Sequence, residues 1–495
     1  MIKPTPPIEI TGIEGGTNVR FHSDAVNVDA HLLARLRTVC RTTVDVATRA
    51  EASRDWWPVA MHWALDATVP QLASAVCTPS SASEVAGLLT LCSEMGIPVT
   101  AAGGRSGVNG ASVPAFGGVV VDLTGLHGLG EVDTISGVVE VRAGTFGPDL
   151  ERELNDVHGL SVGHFPQSFD IATVGGWVAC RGAGQYSTRY GKIESMVVGL
   201  EVVLADGTII VTGGAPAAAV GPDLTQLFVG SEGMLGVITR VWLRAHPLPA
   251  VVRTEAYAFA SFADGLEACR RILRRGATPA VLRLYDAAES QRGQGGDGTQ
   301  CMLLVLDEGD EVITRATLDV VTEECRAAAV LGSDRVLRWL DHRNDTSALQ
   351  ALTRKGFVVD TLEIAAPWAR LDTIFHKVRA AMLAVPHARS ATCHLSHSYP
   401  DGACLYFTFA ATPPADEIET TYVALWDAGQ RAVLANGGNL SHHHGVGINR
   451  GRFVREALGA SFDVLAAMKG ALDPAGILNP GKFGLPSVFG PDVWP

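Results

Sequence analysis

The chain has 495 residues, a length that calls for two to four domains rather than one. Its 39 Lys and Arg stand against 52 Asp and Glu, and the net charge of −13 excludes the basic surface of a general nucleic-acid or anionic-membrane binder. With 47% hydrophobic and 18% charged residues the sequence can bury large cores, and no apolar run approaches the ~20 residues that span a bilayer.

The opening MIKPTPPIEITGIEGG lacks an apolar signal core, so a non-secreted protein is expected. Nine cysteines without a CxxC pair fit the reduced thiols of a cytoplasmic enzyme. HLLARLRTVC (31–40) spaces its apolar residues as an amphipathic helix, and RDWWPVAMHWALD (54–66) is an aromatic-rich segment expected to lie as a flap on the following unit. PSSASEVAGLLTLCSEMG (79–96) has serine caps, helical apolar spacing and a terminal glycine. β-Branched runs then follow, broken by Gly and Asp-Gly turns: IPVTAAGG, GGVVVDL, GVVEVRAG, MVVGLEVVLADGTII and MLGVITRVWLRAHP. Residues 69–248 thus read as an α+β unit of short strands, closed at AHPLP (245–249).

Beyond that point strand-like AVLRLYD, CMLLVLDEG and ACLYFTFAA alternate with helical FADGLEACRRILRRG (262–276) and ITRATLDVVTEECRAAAVLG (313–332). The pattern predicts a sheet covered on one face by helices. SQRGQGGDGT (290–299) reads as a polar loop, and 462–484 as a helix followed by a Pro/Gly turn.

Three glycine-rich segments fall within 140 residues: TAAGGRSGVNGAS (100–112), GHFPQSFDIATVGGWVACRGAGQYSTRYGKIESMVVG (163–199) and GSEGMLGVIT (230–239). Glycine lets backbone approach a ligand and turn N–H groups toward phosphate oxygens, so three such segments suggest a long dinucleotide threaded through one domain. A nicotinamide site is the rival, but the one GxGxxG match, at Gly293, Gly295 and Gly298, opens no helix and is read as chance. Walker A, HExxH and GxSxG motifs are absent.

The second signal is Ser441-His442-His443-His444-Gly445. On a strand the three rings would alternate between faces. Without a partner ligand at zinc spacing beside it, no metal site is assigned. His394, His397, Tyr399 and Tyr406 lie in CHLSHSYPDGACLYF, and two segments rich in His and Tyr read as converging proton-transfer groups.

In this order, TAAGGRSGV, GHFPQSFDIATVGGWV, SEGMLGVIT, VLRLYD, DGACLYF and LANGGNLSHHHGVG resemble alkylglycerone-phosphate synthase and its bacterial FAD-binding oxidase relatives. These belong to the vanillyl-alcohol oxidase / p-cresol methylhydroxylase (PCMH) flavoprotein superfamily, and the likeness runs from about residue 69 to 484. Residues 1–68 read as an N-terminal helical extension, and the resemblance implies a PCMH-type FAD-binding domain of two α/β subdomains at 69–248 and an α+β cap at 249–460. It also implies a C-terminal segment, 461–495, returning to the flavin. The cofactor implied is FAD, held without a covalent bond because Arg105 stands where some relatives place a linking histidine. The implied cofactor segments comprise Thr100, Ala101, Ala102, Gly103, Gly104, Arg105 and Ser106, then Gln167, Ser168, Phe169, Asp170, Ile171, Ala172 and Thr173. Cys180, Arg181, Gly182, Ala183, Gly184, Gln185 and Tyr186 form the third, and Glu232, Gly233, Met234, Leu235, Gly236, Val237 and Ile238 the fourth.

Catalytic roles are implied for Tyr406 as acid/base, with His442, His443, His444 and Arg283; imidazoles beside Tyr406 are expected to lower its pKa. The synthase's arginine for substrate phosphate has no counterpart in register. Counting back from Glu363 of LEIAAPW reaches Leu349, with Arg343 and Arg354 nearby. A metal-dependent hydroxyacid dehydrogenase is disfavoured, since His443 stands where those enzymes place a ligating Glu. The expected function is a flavin N5 oxidoreductase acting on a small hydroxyl-bearing substrate, and the architecture leaves a homodimer open. The alternatives are a synthase-like transferase exchanging acyl for alkyl through a flavin N5 adduct, and a non-enzymatic flavin-binding protein.

Overall fold

The computed structural model describes Ile8 and residues 17–345 and 347–494. The reading of residues 1–16 as lacking a signal core therefore lies outside the described residues, apart from Ile8.

Ser81 accepts the Glu84 amide at 3.2 Å and Gly96 adopts a left-handed φ of 64°, so the serine-capped run folds as the helix Ala82–Met95. Its apolar stripe is buried: Val85, Leu88 and Leu89 pack with Leu32 and Leu36 of the helix Ala30–Val39 onto Val99, Val119 and Val121. Those valines belong to a four-stranded sheet ordered Arg41–Thr43, Ala75–Thr78, Val119–Asp122, Val99–Ala102, whose last three strands run parallel. Its open edge is continued by the C-terminal segment: the Val99 amide donates to Ile477 O at 2.8 Å, and Val99 O accepts the Asn479 amide at 2.7 Å.

A second sheet is wholly antiparallel, ordered Ile209–Gly213, Val197–Val203, Val237–Arg244, Val138–Arg142, Leu129–Asp133. Alternate residues (Leu200, Val202, Val241, Leu243, Val139, Val141) face Trp177 and Val178 of the helix Val174–Ala179 and Phe462 of the helix Ser461–Leu472.

The third sheet has seven antiparallel strands, ordered Ala329–Leu331, Val251–Phe259, Cys301–Gly309, Val281–Tyr285, Ala388–Ser398, Gly402–Ala411, Val358–Pro367. The two-residue period divides it sharply. Leu282, Leu284, Cys393, Leu395, Leu405, Phe407, Leu362 and Ile364 point into one core, roofed by the helices Phe262–Arg274, Glu311–Glu324, Trp368–Leu383 and Ile418–Ala435. The residues between them, such as Val281, Tyr285, Leu304 and Leu306, face the other way and pack with Tyr186 of the third expected cofactor segment.

Three expectations are corrected. The helix begun at 311 ends at Glu324, and Ala329–Leu331 is an edge strand because β-branched Val330 finds a ladder partner in Tyr257. Half of the expected loop 290–299 is helical: Asp286 caps Ala287–Gln294, and Gly295 closes it with φ 68°. The aromatic segment is also less a flap than a wedge. Trp57 and Trp63 join the core under the seven-stranded sheet, stack edge-on with Trp494, and donate to Tyr422 Oη (3.0 Å) and Glu419 Oε2 (3.1 Å). Flat, apolar indoles are driven there by the area they bury. All nine cysteines carry free thiols, and no helix among the described residues is long and apolar enough to cross a membrane.

Candidate active site

The face of the large sheet turned away from its helices carries a row of polar side chains. Glu363, Tyr406 and His394 occupy directly paired positions on three neighbouring strands, and Tyr285 opposes His394 on the next. Arg283 lies two residues before Tyr285; its Nε donates to Tyr285 Oη at 2.7 Å, and its Nη2 meets His394 Nε2. His394 Nδ1 is held by Glu289 at 2.7 Å, and its ring stacks on Tyr406 with centroids 4.8 Å apart. A register shift between Leu395 and His397 re-aims His397, whose Nδ1 lies 2.7 Å from Ser187 Oγ.

Residues 441–447 form no strand, which overturns the expected alternation of the three rings. Instead Glu363 Oε1 accepts the amides of His442 (3.1 Å), His443 (3.1 Å) and His444 (2.9 Å) and the Ser441 hydroxyl (2.6 Å). Arg450, fully buried, pairs with the same carboxylate, and His444 Nδ1 sits 3.0 Å from its second oxygen. One carboxylate thus curls the loop so that its rings gather on one side. His442 Nδ1 meets His443 Nδ1 at 2.8 Å, His442 Nε2 meets Tyr399 Oη at 2.8 Å, and Tyr406 lies 5.9 Å from the His443 ring and 5.6 Å from that of His444. Lys192 donates to His442 O at 2.6 Å.

Burial dominates the titration of this cluster. It holds His397, His442 and His443 well below the usual imidazole range, and His394 at about 4 with help from the Arg283 charge. Burial likewise raises Tyr406, so the phenol is not lowered by its imidazole neighbours as expected from the sequence. Desolvation outweighs the neighbours because His394 and His443, stacked beside the phenol, are themselves held neutral by burial and carry no charge to stabilise a phenolate. For Glu363 burial acts upward, yet Arg450 and His444 hold it well below the carboxylate range.

The glycine-rich segments converge beside this cluster. A Cβ on Gly103 would strike Thr173 Oγ1, and one on Gly104 would strike Ile171 O, so segments 100–106 and 167–173 touch. Arg105 takes a left-handed φ of 54°, with its Nε buried and without a hydrogen-bond partner, as are Thr173 Oγ1, Trp177 Nε1 and both ring nitrogens of His164. Glu232, in the fourth segment, donates its amide to Ala179 O, just before the third, at 2.9 Å. Its carboxylate accepts the Val446 (2.5 Å) and Gly447 (2.8 Å) amides of the histidine loop. Asn109 Nδ2 reaches His444 O (3.2 Å), tying the first segment to the same loop. Orphaned donors lining glycine backbone fit a ligand rich in acceptor oxygens and ring nitrogens, which FAD is.

Not every expected residue faces this space. Met234, Leu235 and Ile238 fill the core of the five-stranded sheet and Val237 that of the four-stranded one. Arg181 pairs outward with Glu194 at 3.4 Å, and Gln167 and Asp170 are exposed. Arg343, out of register in the sequence, lies 5.1 Å from the Tyr186 ring and 5.7 Å from that of Trp339, which also flanks Arg283 at 5.7 Å; Arg354 is exposed. Sequence reasoning missed the structural roles of Glu363, Arg450, Asn109 and Lys192. A single carboxylate inside the apolar run LEIAA was the available signal, since such a group demands a buried partner. His397, His442 and His443 place a nitrogen each within 4.8 Å of one another.

Comparison with known proteins bears on these segments directly. A family model described as "FAD binding domain" matches residues 73–213, and one described as "FAD linked oxidases, C-terminal domain" matches residues 248–483. An uncharacterized FAD-linked oxidoreductase, YgcU of Escherichia coli O157:H7, is 31% identical over 78% of this chain and 83% of its own. The chain belongs to the FAD-linked oxidase family. This FAD-linked oxidase is also 28% identical to alkyldihydroxyacetonephosphate synthase of Dictyostelium discoideum, over 82% of the chain and 72% of the relative. Its fold is shared with a solved alkyldihydroxyacetonephosphate synthase at 23% identity, with a TM-score of 0.77 and coverage of 97% and 89%. It is shared too with p-cresol methylhydroxylase, at 17% identity, with a TM-score of 0.74 and coverage of 92% and 96%. The fold is therefore of the PCMH type, the protein is a flavoenzyme, and FAD is its cofactor.

Proposed function

We propose that this FAD-linked oxidase is an oxidoreductase that removes two electrons from a small, anionic, hydroxyl-bearing substrate. The observation that carries the reading is the gathering of neutral imidazoles and one phenol on a single sheet face, beside the glycine segments. When bound, FAD supplies the two-electron acceptor. Gly103, Gly104, Arg105 and Thr173 would hold it from one side, and the backbone around Cys180–Tyr186 and Glu232 from the other. Arg105 occupies the place of a linking histidine, so the cofactor is held without a covalent bond.

The chain's own residues manage the proton and the charge. His443, half-buried and held neutral by its surroundings, takes the proton of the substrate hydroxyl. Tyr406 keeps its own proton because burial raises it, and its O–H orients the substrate oxygen. Arg283 and Arg343 pair with no carboxylate among the described residues; they favour a carboxylate or phosphate on the substrate and take the place of the out-of-register arginine.

The test is anaerobic mixing of the yellow protein with hydroxyacids, alcohols and acyl-glycerone phosphates. Persistent bleaching of the visible band supports oxidation. Turnover without an external acceptor would instead support the synthase-like transferase, the second reading, favoured by the 28% identity to that enzyme.

A further inference from the structure

On the far side of the histidine loop, a line of polar groups leads away from the reacting centre. His442 is buried, yet both of its ring nitrogens are engaged: Nε2 with Tyr399 Oη at 2.8 Å and Nδ1 with His443 Nδ1 at 2.8 Å. Tyr399 lies on the turn between the strands Ala388–Ser398 and Gly402–Ala411, where it is half-buried and the next two residues, Pro400 and Asp401, are exposed. The backbone at both ends is pinned. Lys192 holds His442 O, Trp368 Nε1 donates to Tyr399 O at 3.0 Å, and the Tyr399 amide bonds Gly402 O at 2.8 Å. A continuous line of hydrogen bonds therefore runs from His443, at the proposed site, to Tyr399 at the foot of the exposed hairpin turn, where the phenol also meets the side chain of buried Ser187.

We propose that His443, His442 and Tyr399 form a proton wire that carries the substrate's hydroxyl proton out of the active site to solvent. The inference rests on the reading of His443 as the proton acceptor and adds the route by which that proton leaves.

Tautomer logic gives the wire a direction. Two imidazole nitrogens 2.8 Å apart share one hydrogen, so one Nδ1 donates and the other accepts. For His443 to receive a proton at Nε2, its hydrogen must rest on Nδ1 and point at His442 Nδ1. His442 then carries its own hydrogen on Nε2 and donates it to Tyr399 oxygen, and the phenol keeps its own O–H to hand on. When Nε2 of His443 gains the substrate proton, His443 Nδ1 passes its hydrogen to His442. His442 Nε2 then passes its hydrogen to Tyr399, and Tyr399 releases one to water. One proton enters and one leaves, each ring ends in its other neutral tautomer, and rotation of the three groups resets the line. Burial that keeps both imidazoles uncharged suits them to passing a proton rather than storing it.

The test uses the full-length holoenzyme. In Tyr399→Phe the last hydroxyl is gone while the ring remains. The expected result is flavin reduction slowed tenfold or more, a visible spectrum unchanged, and partial recovery on adding small diffusible bases such as imidazole. His442→Gln, which keeps hydrogen bonds but cannot pass a proton, is expected to slow reduction to the same degree. A Tyr399→Phe enzyme as fast as the parent overturns the proposal, as does one whose slowing ignores added base. Nitrogen-15 spectra of histidine-labelled holoenzyme supply a readout independent of any substrate: His443 is expected with hydrogen on Nδ1 and a bare Nε2. The opposite tautomer, or a charged His442, overturns the wire. The expected tautomers in an enzyme that no hydroxyl substrate bleaches would leave the wire standing and sink the oxidoreductase reading instead.

Discussion

Glu363 and Arg450 form an ion pair in which neither side chain exposes any surface, and the carboxylate of that pair also collects the amides of His442, His443 and His444. Taking two charges out of water is costly, so the pair persists only because the remaining lone pairs are filled by those amides and by Ser441. Glu363→Gln leaves Arg450 buried without a counter-charge. A loss of about 3–5 kcal/mol in urea unfolding is expected, together with loss of substrate-driven flavin bleaching. A variant within about 1 kcal/mol of the parent would show that the pair does not organise the loop.

Gly104 lies where a Cβ would collide with the Ile171 carbonyl. Gly104→Ala must therefore push the first expected cofactor segment away from the second. Its ratio of flavin to protein absorbance after purification is expected to fall severalfold, while a substitution at exposed Asp170 leaves the ratio unchanged. In the parent, acid precipitation is expected to release all the yellow colour into the supernatant, as a non-covalent cofactor requires.

Arg343 donates to Gln185 Oε1 at 3.0 Å through Nη1 and lies against aromatic rings. If it seats a substrate oxyanion, Arg343→Gln removes a charged hydrogen bond worth about 1.5–3 kcal/mol. KM for an anionic substrate should rise about 10- to 150-fold, with little change for an uncharged alcohol. Equal losses for both substrates would point to a packing role.

His164 is fully buried with neither ring nitrogen hydrogen-bonded, and burial lowers it to about 3. Its ordinary value is 6.5, so below that pH the unfolded chain binds a proton that the folded chain refuses. Stability is then lost as pH falls from 6.5 toward 3, by about 1.4 kcal/mol per pH unit for this one group. Relative to His164→Phe, the parent should lose stability between pH 6.5 and 5.5 in chemical denaturation. Parallel curves for the two proteins would refute the assignment.

Local patterning made most of the architecture legible. Ser81 and Gly96 marked a helix at both ends, and the strand-like run ACLYFTFAA lies within the strand Gly402–Ala411. What stayed hidden was set by partners far along the chain. Ala329–Leu331 became a strand because Val251–Phe259 offered it an edge, and SHHHG became a curled loop because Glu363, 79 residues from His442, drew its amides inward. The direction of the Tyr406 shift could not be read from neighbouring residue types either, because it depends on how deeply the sheet and its surroundings bury the ring.

Ile477–Asn479 lies beside Val99 at the edge of the sheet that carries the first glycine loop, and Asn479 Nδ2 also grips Ala111 O and Glu232 O. During synthesis that edge waits, unpaired, while most of the chain is made. The nucleotide cradle can close only once residues 477–479 have left the ribosome, so ribosomes stalled short of residue 477 should carry chains unable to retain the yellow cofactor.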